Sequence, residues 1–295
     1  MTSKQKDKIW TGILYVVSIF VVILLLILIG LIFYKGRNAL NLSFLFGNPK
    51  VAEAGGGIAP MFFNSFYMLI VSLFITIPLG VGAGIFLAEY AKEGRLTDII
   101  RLCIETLASL PSIVVGLFGL LVFVKMTGWG FSVLAGAMAI ALINFPSLTR
   151  VSEDAIRSAS ANVKEGSLGL GATTWQTIAK LIIPIAMPQI LTGVILASGR
   201  IFGESAALLF TAGMSAPPLN FDSISLAARS SPFSLFRPAE TLSVYIWKLN
   251  SEGMVPDASD IANKASAVLV MMVLLFNVSS RMLGKKIHDK YSGEN

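Results

Sequence analysis

The sequence predicts an all-α polytopic membrane protein with six transmembrane helices and both termini in the cytoplasm. Three observations carry this reading. Of 295 residues, 55% are hydrophobic and 14% charged, with a mean hydropathy of +0.75, too little polar surface for a water-soluble domain of this size. Six apolar segments, 10–34, 62–90, 104–125, 131–148, 181–213 and 264–283, match the roughly 20 residues needed to span a bilayer. The basic residues alternate sides in the expected way. Lys4, Lys6, Lys8, Lys92, Arg95, Arg101, Arg150, Arg157, Lys164, Lys180, Arg281, Lys285, Lys286 and Lys290 fall on one side. The other side holds fewer, on longer loops: Lys35, Arg37, Lys50, Lys125, Arg229, Arg237, Lys248 and Lys264. The richer side is cytoplasmic by the positive-inside rule.

Taken in order, the first apolar run is too long for a cleaved signal peptide and reads as a retained helix. In the second, Gly80 and Gly84 lie four apart on one face, a spacing that lets helices approach closely in lipid, and Pro78 is placed to kink the helix. Pro111, Gly116 and Gly119 repeat that logic in the third. Glu89 ends the second span and is expected at the membrane interface. The second and fifth segments exceed the bilayer thickness, so each tilts or extends past an interface. Within 214–263, Leu242, Tyr245, Ile246 and Leu249 recur at helical spacing, and Tyr245 and Trp247 suit the headgroup level. This predicts an amphipathic interfacial helix. The chain reads as a single permease-type domain: a first helix and outer loop (1–61), a core (62–283) and a cytoplasmic tail (284–295).

Between the fourth and fifth spans the chain stays polar from 149 to 180. Asn162 followed by Glu165 suggests a capping-box start, and Gly166, Gly169 and Gly171 argue against a long helix here. Thr173 and Gln176 suggest a second capping box. The expectation is a short helix, a glycine turn and a new helix with Ala172, Trp175 and Ile178 or Ala179 on one face. Such an element suits insertion into a partner's cleft. The fifth span carries Arg200 and Glu204, four apart on one helical face, where they can pair and lower the cost of charge in lipid.

Several chemistries are excluded. The lone Cys103 cannot make an intramolecular disulfide, and with the lone His288 it argues against a Cys/His metal site or a Ser/His/Asp set. There is no Walker A motif, so ATP, if used, is bound by another chain. The positive charge is topological, which leaves nucleic acid a poor partner.

The polar segment resembles the coupling motif of ABC-importer permeases, Glu-Ala-Ala-x3-Gly-x9-Ile-x-Leu-Pro, through Glu165, Gly171, Pro184 and their spacing; the alanines and aliphatic positions differ. Residues 199–213, Gly-Arg-Ile-Phe-Gly-Glu-Ser-Ala-Ala-Leu-Leu-Phe-Thr-Ala-Gly, resemble the Arg-x-x-Gly-Glu-Thr-Ala-Pro-Leu-Leu-Phe-Thr-Ala stretch of PstA-type permeases of phosphate importers. Ser205 and Ala207 depart from that pattern. Residues 110–119 and 146–153 also fit the family, and the likeness runs from about 58 to 281.

The resemblance implies a type I importer permease fold in a prokaryotic plasma membrane, without catalysis or cofactor in this chain. ATP and Mg would be held by two cytoplasmic ATPase subunits (PstB type). A homologous permease (PstC type) and an extracytoplasmic phosphate-binding protein (PstS type) would complete the assembly in the lipid bilayer. It implies substrate-path roles for Arg200, Glu204 and Arg150, since arginine matches phosphate oxygens bidentately. It implies ATPase coupling through Glu165, Gly171, Ala172, Trp175 and Pro184 within 162–180. A permease for sulfate or molybdate, or a secondary transporter, remains open from the sequence.

Overall fold

The structure, a computed structural model, describes residues 3–292 except 40, 51–54, 220, 222, 223, 227, 229, 230, 253 and 254, with the backbone alone at 162, 283 and 285–292. Arg229, counted on the outer side above, lies outside the described residues. The helices are α1 (Ser3–Lys35), α2 (Leu42–Phe46), α3 (Ala59–Ile85), α4 (Arg95–Ser109), α5 (Ser112–Gly119) and α6 (Val133–Gly169). They continue as α7 (Thr174–Thr177), α8 (Ile183–Gly203), α9 (Ala206–Thr211), α10 (Leu242–Glu252) and α11 (Ala258–Ser292). Single π-helical segments extend α3 (Phe86–Tyr90) and α5 (Leu120–Met126) and join α7 to α8 (Ile178–Ile182).

Five of these helices are long and apolar enough to cross a membrane. The third expected span is corrected: it is not one straight helix but a pair, 95–109 and 112–126, bent by 100°. Pro111 disfavours helical geometry at the residue before it, and Leu110 is extended, with φ −68° and ψ 132°. The transmembrane arm is therefore only 112–126, shorter than the roughly 20 residues of a full span. α4 is an amphipathic helix set across it.

The α3–α6 pair is the centre of the bundle. Gly80 and Gly84 make it possible, as their spacing predicts. A Cβ on Gly80 would lie 3.0 Å from Leu148, and one on Gly84 would lie 2.5 Å from the Ser152 Cβ. Apolar side chains form two larger clusters. One fills the outer and middle bundle, where Met68, Val133, Ile140, Phe202, Leu208, Leu242, Tyr245 and Val268 meet. The other lies at the inner end and joins Ile156, Ala159, Ile178, Ile182 and Ile190, with Val81, Ile85 and Val163 against them.

The expected helix over 242–249 is α10. Leu242, Tyr245 and Leu249 are buried, and Trp247 is exposed. The expectation that Gly166 and Gly169 would break the 149–180 segment is overturned. α6 runs unbroken for 37 residues to Gly169, so no helix starts at Asn162. The inner cluster pulls Ala155, Ile156 and Ala159 into one buried stripe, and that packing outweighs glycine's propensity cost of about 1 kcal/mol each.

Candidate substrate cleft and coupling surface

Arg200 sits in the last turn of α8, where its cationic group complements the helix C-terminus. It borders a cleft of about 230 Å³ between α6 and α8, shared with Asn144, Ser147, Leu148, Val151 and Gly193. Arg200 and Ser147 are exposed on this cleft, while Asn144 is buried and donates from Nδ2 to the Ile140 carbonyl at 3.1 Å. Among the described residues, no acidic side chain pairs with Arg200.

The expected Arg200–Glu204 pair does not form, because the helix ends between them. Glu204 is extended, with φ −71° and ψ 123°, so the two residues no longer share a helical face. Its carboxylate instead accepts from the Ala207 backbone N–H at 3.1 Å and caps α9, while its carbonyl accepts from Ser243 Oγ at 2.7 Å. The long fifth segment is thus two helices around a break.

Arg150 points elsewhere. Its guanidinium lies 3.9 Å from Glu105 of α4, and both are exposed. They line a separate cavity of about 170 Å³ with Arg101, Thr149, Glu153 and Asp154. Arg150 and Arg200 therefore do not line one cavity in this conformation.

At the inner end, α6, a turn and α7 form a protruding tip. Gly171 has φ +86°, a left-handed conformation that side-chain-bearing residues avoid. The second capping box forms as expected: Thr173 Oγ1 accepts from Gln176 N–H at 3.3 Å, and Gln176 Oε1 accepts from Thr173 N–H at 2.9 Å. A buried Ser167–Thr177 hydroxyl contact of 2.8 Å ties the two arms together. Ile178 is fully buried and anchors the tip, and Ala172 is half-buried. Trp175 is 63% exposed and Leu170 is 91% exposed, so the tip presents an apolar surface. Glu165 is exposed beside it, and Pro184, in the first turn of α8, is half-buried below. Leu170 does not stand out in the sequence; it caps the end of α6, directly before the left-handed Gly171.

The family described as "Binding-protein-dependent transport system inner membrane component" matches residues 80–292. The chain belongs to this family. It is a membrane permease subunit of an ABC-type importer rather than an enzyme, and ATP hydrolysis belongs to a separate subunit. The permease is 50% identical over 290 residues to the probable ABC transporter permease protein YqgI of Bacillus subtilis (strain 168), covering 98% of this chain and 99% of that one. It is 34% identical over 262 residues to the phosphate transport system permease protein PstA of Yersinia pestis, covering 86% and 82%. A solved bacterial alginate ABC transporter, in complex with a periplasmic protein bound to an alginate pentasaccharide, aligns with a TM-score of 0.63 over 97% of this chain and 96% of that one. At 15% identity that likeness speaks for the fold alone.

The permease also holds a buried polar cluster at its outer end. Arg237 is 2% exposed. It donates to the Pro232 carbonyl at 2.8 Å, the Pro238 carbonyl at 3.1 Å and Asn64 Oδ1 at 2.7 Å. Asn64 in turn donates to the Glu240 carbonyl at 2.9 Å, holding residues 232–240 against α3. Burial lowers the Arg237 pKa to about 10. Glu240 is also buried, and burial raises its carboxyl pKa to about 7 against the opposing pull of Lys248, whose Nζ lies 3.3 Å away. In the sequence, Arg237 and Lys248 stand out only as outer-side charge.

Proposed function

We propose that this permease forms one half of the translocation pathway of an ATP-driven importer of inorganic phosphate. A homologous permease would form the other half, two cytoplasmic ATPases would drive it, and an extracytoplasmic phosphate-binding protein would deliver the anion. The observation that carries the reading is Arg200, a guanidinium near the end of a membrane-crossing helix, open to a cleft and without an acidic partner among the described residues. An unpaired charge on a membrane-crossing helix is costly, and a passing anion offsets part of that cost. Ser147, exposed on the same cleft, adds a hydroxyl donor, and phosphate oxygens accept from both. On this cleft the anion meets one cation and a hydroxyl rather than a full cage, which suits a conduit.

The likeness of residues 199–213 to phosphate permeases, and the 34% identity to a protein named as one, support phosphate over other oxyanions. Glu204 then acts indirectly, setting the break after α8 by capping α9. Arg150 serves as a cation at the inner mouth. The tip formed by Glu165, Leu170, Gly171, Ala172 and Trp175 is read as the surface that enters the ATPase, with Pro184 fixing the start of α8. The test is Arg200→Ala: uptake of labelled phosphate should fall by at least about 100-fold, as for loss of a charge-stabilising donor. The assembled complex should remain at normal abundance, and Arg200→Lys should recover part of the rate. Wild-type uptake in Arg200→Ala would remove this residue from the pathway.

A further inference from the structure

The inner ends of α3 and α6 are joined by charge as well as by the glycine contact. The Glu89 side chain, in the π-helical end of α3, is 1% exposed and lies 2.8 Å from Lys164 Nζ. Lys164 is on the last turns of α6, immediately before Glu165 and two turns or less from the exposed tip. A second contact runs beside it: Arg157 Nη2 donates to the Leu87 carbonyl at 3.0 Å, satisfying a carbonyl at the end of α3. Glu153 accepts from both Arg157, at 3.0 Å, and Arg101 of α4, at 2.8 Å, so α4 is held to the same stretch of α6. Beneath these polar contacts lies the inner apolar cluster, which the tip enters through Ile178 and Ile182. The tip, the inner half of α6 and the end of α3 are therefore linked as one lever.

A nearly water-free carboxylate is costly unless its partner stays in place, so the pair resists separation of the two helices. The π-helical turn that presents Glu89 is the kind of local departure from α-helix often found at working positions. We infer that Glu89 and Lys164 are positioning residues for energy coupling: they make α3 follow α6 when the ATPase moves the tip. This rests on the reading of the tip as the ATPase contact.

The experiment uses the complete transporter, reconstituted in vesicles, with Glu89→Gln, the neutral double variant Glu89→Gln/Lys164→Gln, and the swapped pair Glu89→Lys/Lys164→Glu. Two ratios are read: labelled phosphate delivered per ATP hydrolysed, and the stimulation of ATP hydrolysis by the loaded binding protein. We expect the first two variants to assemble and to keep basal ATP hydrolysis. Both ratios should fall about tenfold, within the 5–150-fold span of typical coupling energies. The swap should recover most of the loss. Wild-type ratios in the neutral double variant would overturn the inference. So would loss of assembled complex in all three with unchanged ratios in what remains, since the pair would then be structural alone. Trp175→Ala and Leu170→Asp in the same assay separate the two ideas. If they leave coupling intact, the reading of the tip fails; if they uncouple and the Glu89 variants do not, only the lever fails.

Discussion

Glu240 shows how burial at one residue sets a pH response. Its carboxyl pKa rises from 4.5 to about 7 because burial disfavours the charged form, with Lys248 opposing the shift. Between those values the folded chain keeps a proton that the unfolded chain has lost, so stability falls as pH rises through this window. The thermal midpoint of the purified complex should therefore drop between pH 5 and pH 8. Glu240→Gln should flatten that part of the profile; an unchanged profile would show that Glu240 does not titrate there. Arg237→Ala should be severe, because it leaves two buried acceptors, the Pro232 carbonyl and Asn64 Oδ1, unpaired at about 1–3 kcal/mol each. Little of this cluster was legible in the sequence. A loop arginine reads as exposed charge, and only the fold brings Asn64 of α3 beneath it. Gly171 is the opposite case. It was singled out by its position in the motif, and its φ of +86° supplies the physical reason. Gly171→Ala should cost roughly 1–2 kcal/mol locally and loosen the tip. The predicted readout is ATP hydrolysis that continues while uptake falls.

At the scale of elements, most helices were readable and their breaks were not. Apolar runs report the segments that can enter lipid, but not where a helix turns aside or stops. Pro111 bends the third span by 100°, although Pro78, Pro146 and Pro188 sit inside continuous helices. Packing against neighbouring helices lets a membrane helix tolerate such a proline without breaking. The break at Glu204 has no proline at all, and this is why the Arg200–Glu204 pair looked plausible as a helical i, i+4 contact. The glycine spacing in α3 was read correctly because it is a contact rule rather than a propensity. Gly84→Val should force α3 away from Ser152 and Glu153 and destabilise the assembled protein by about 1–3 kcal/mol or more. Gly82→Val, which meets nothing within 4 Å, should leave thermal stability unchanged. Equal stability of the two variants would contradict the close-packed α3–α6 seam.

For the whole molecule, hydropathy was enough for the class, and two short stretches were enough for the family. The coupling geometry was legible only in part. The Thr173–Gln176 box is local chemistry, whereas the unbroken α6 depends on an inner core assembled from distant segments. The same core links the tip to α3, giving motion at the inner surface a direct mechanical route into the bundle. Arg200 stands near the other end of α8, which begins in that core. One side of the permease thus carries the proposed drive, and its interior carries the proposed anion contact. The most direct test of that account is uptake of labelled phosphate by phosphate-starved cells lacking this chain, before and after its restoration, with excess sulfate present. The account predicts that restoration returns uptake, that sulfate leaves it unchanged, and that the Arg200→Ala chain does not restore it. No restored uptake with the partner subunits present, or uptake that sulfate suppresses, would contradict phosphate as the transported anion.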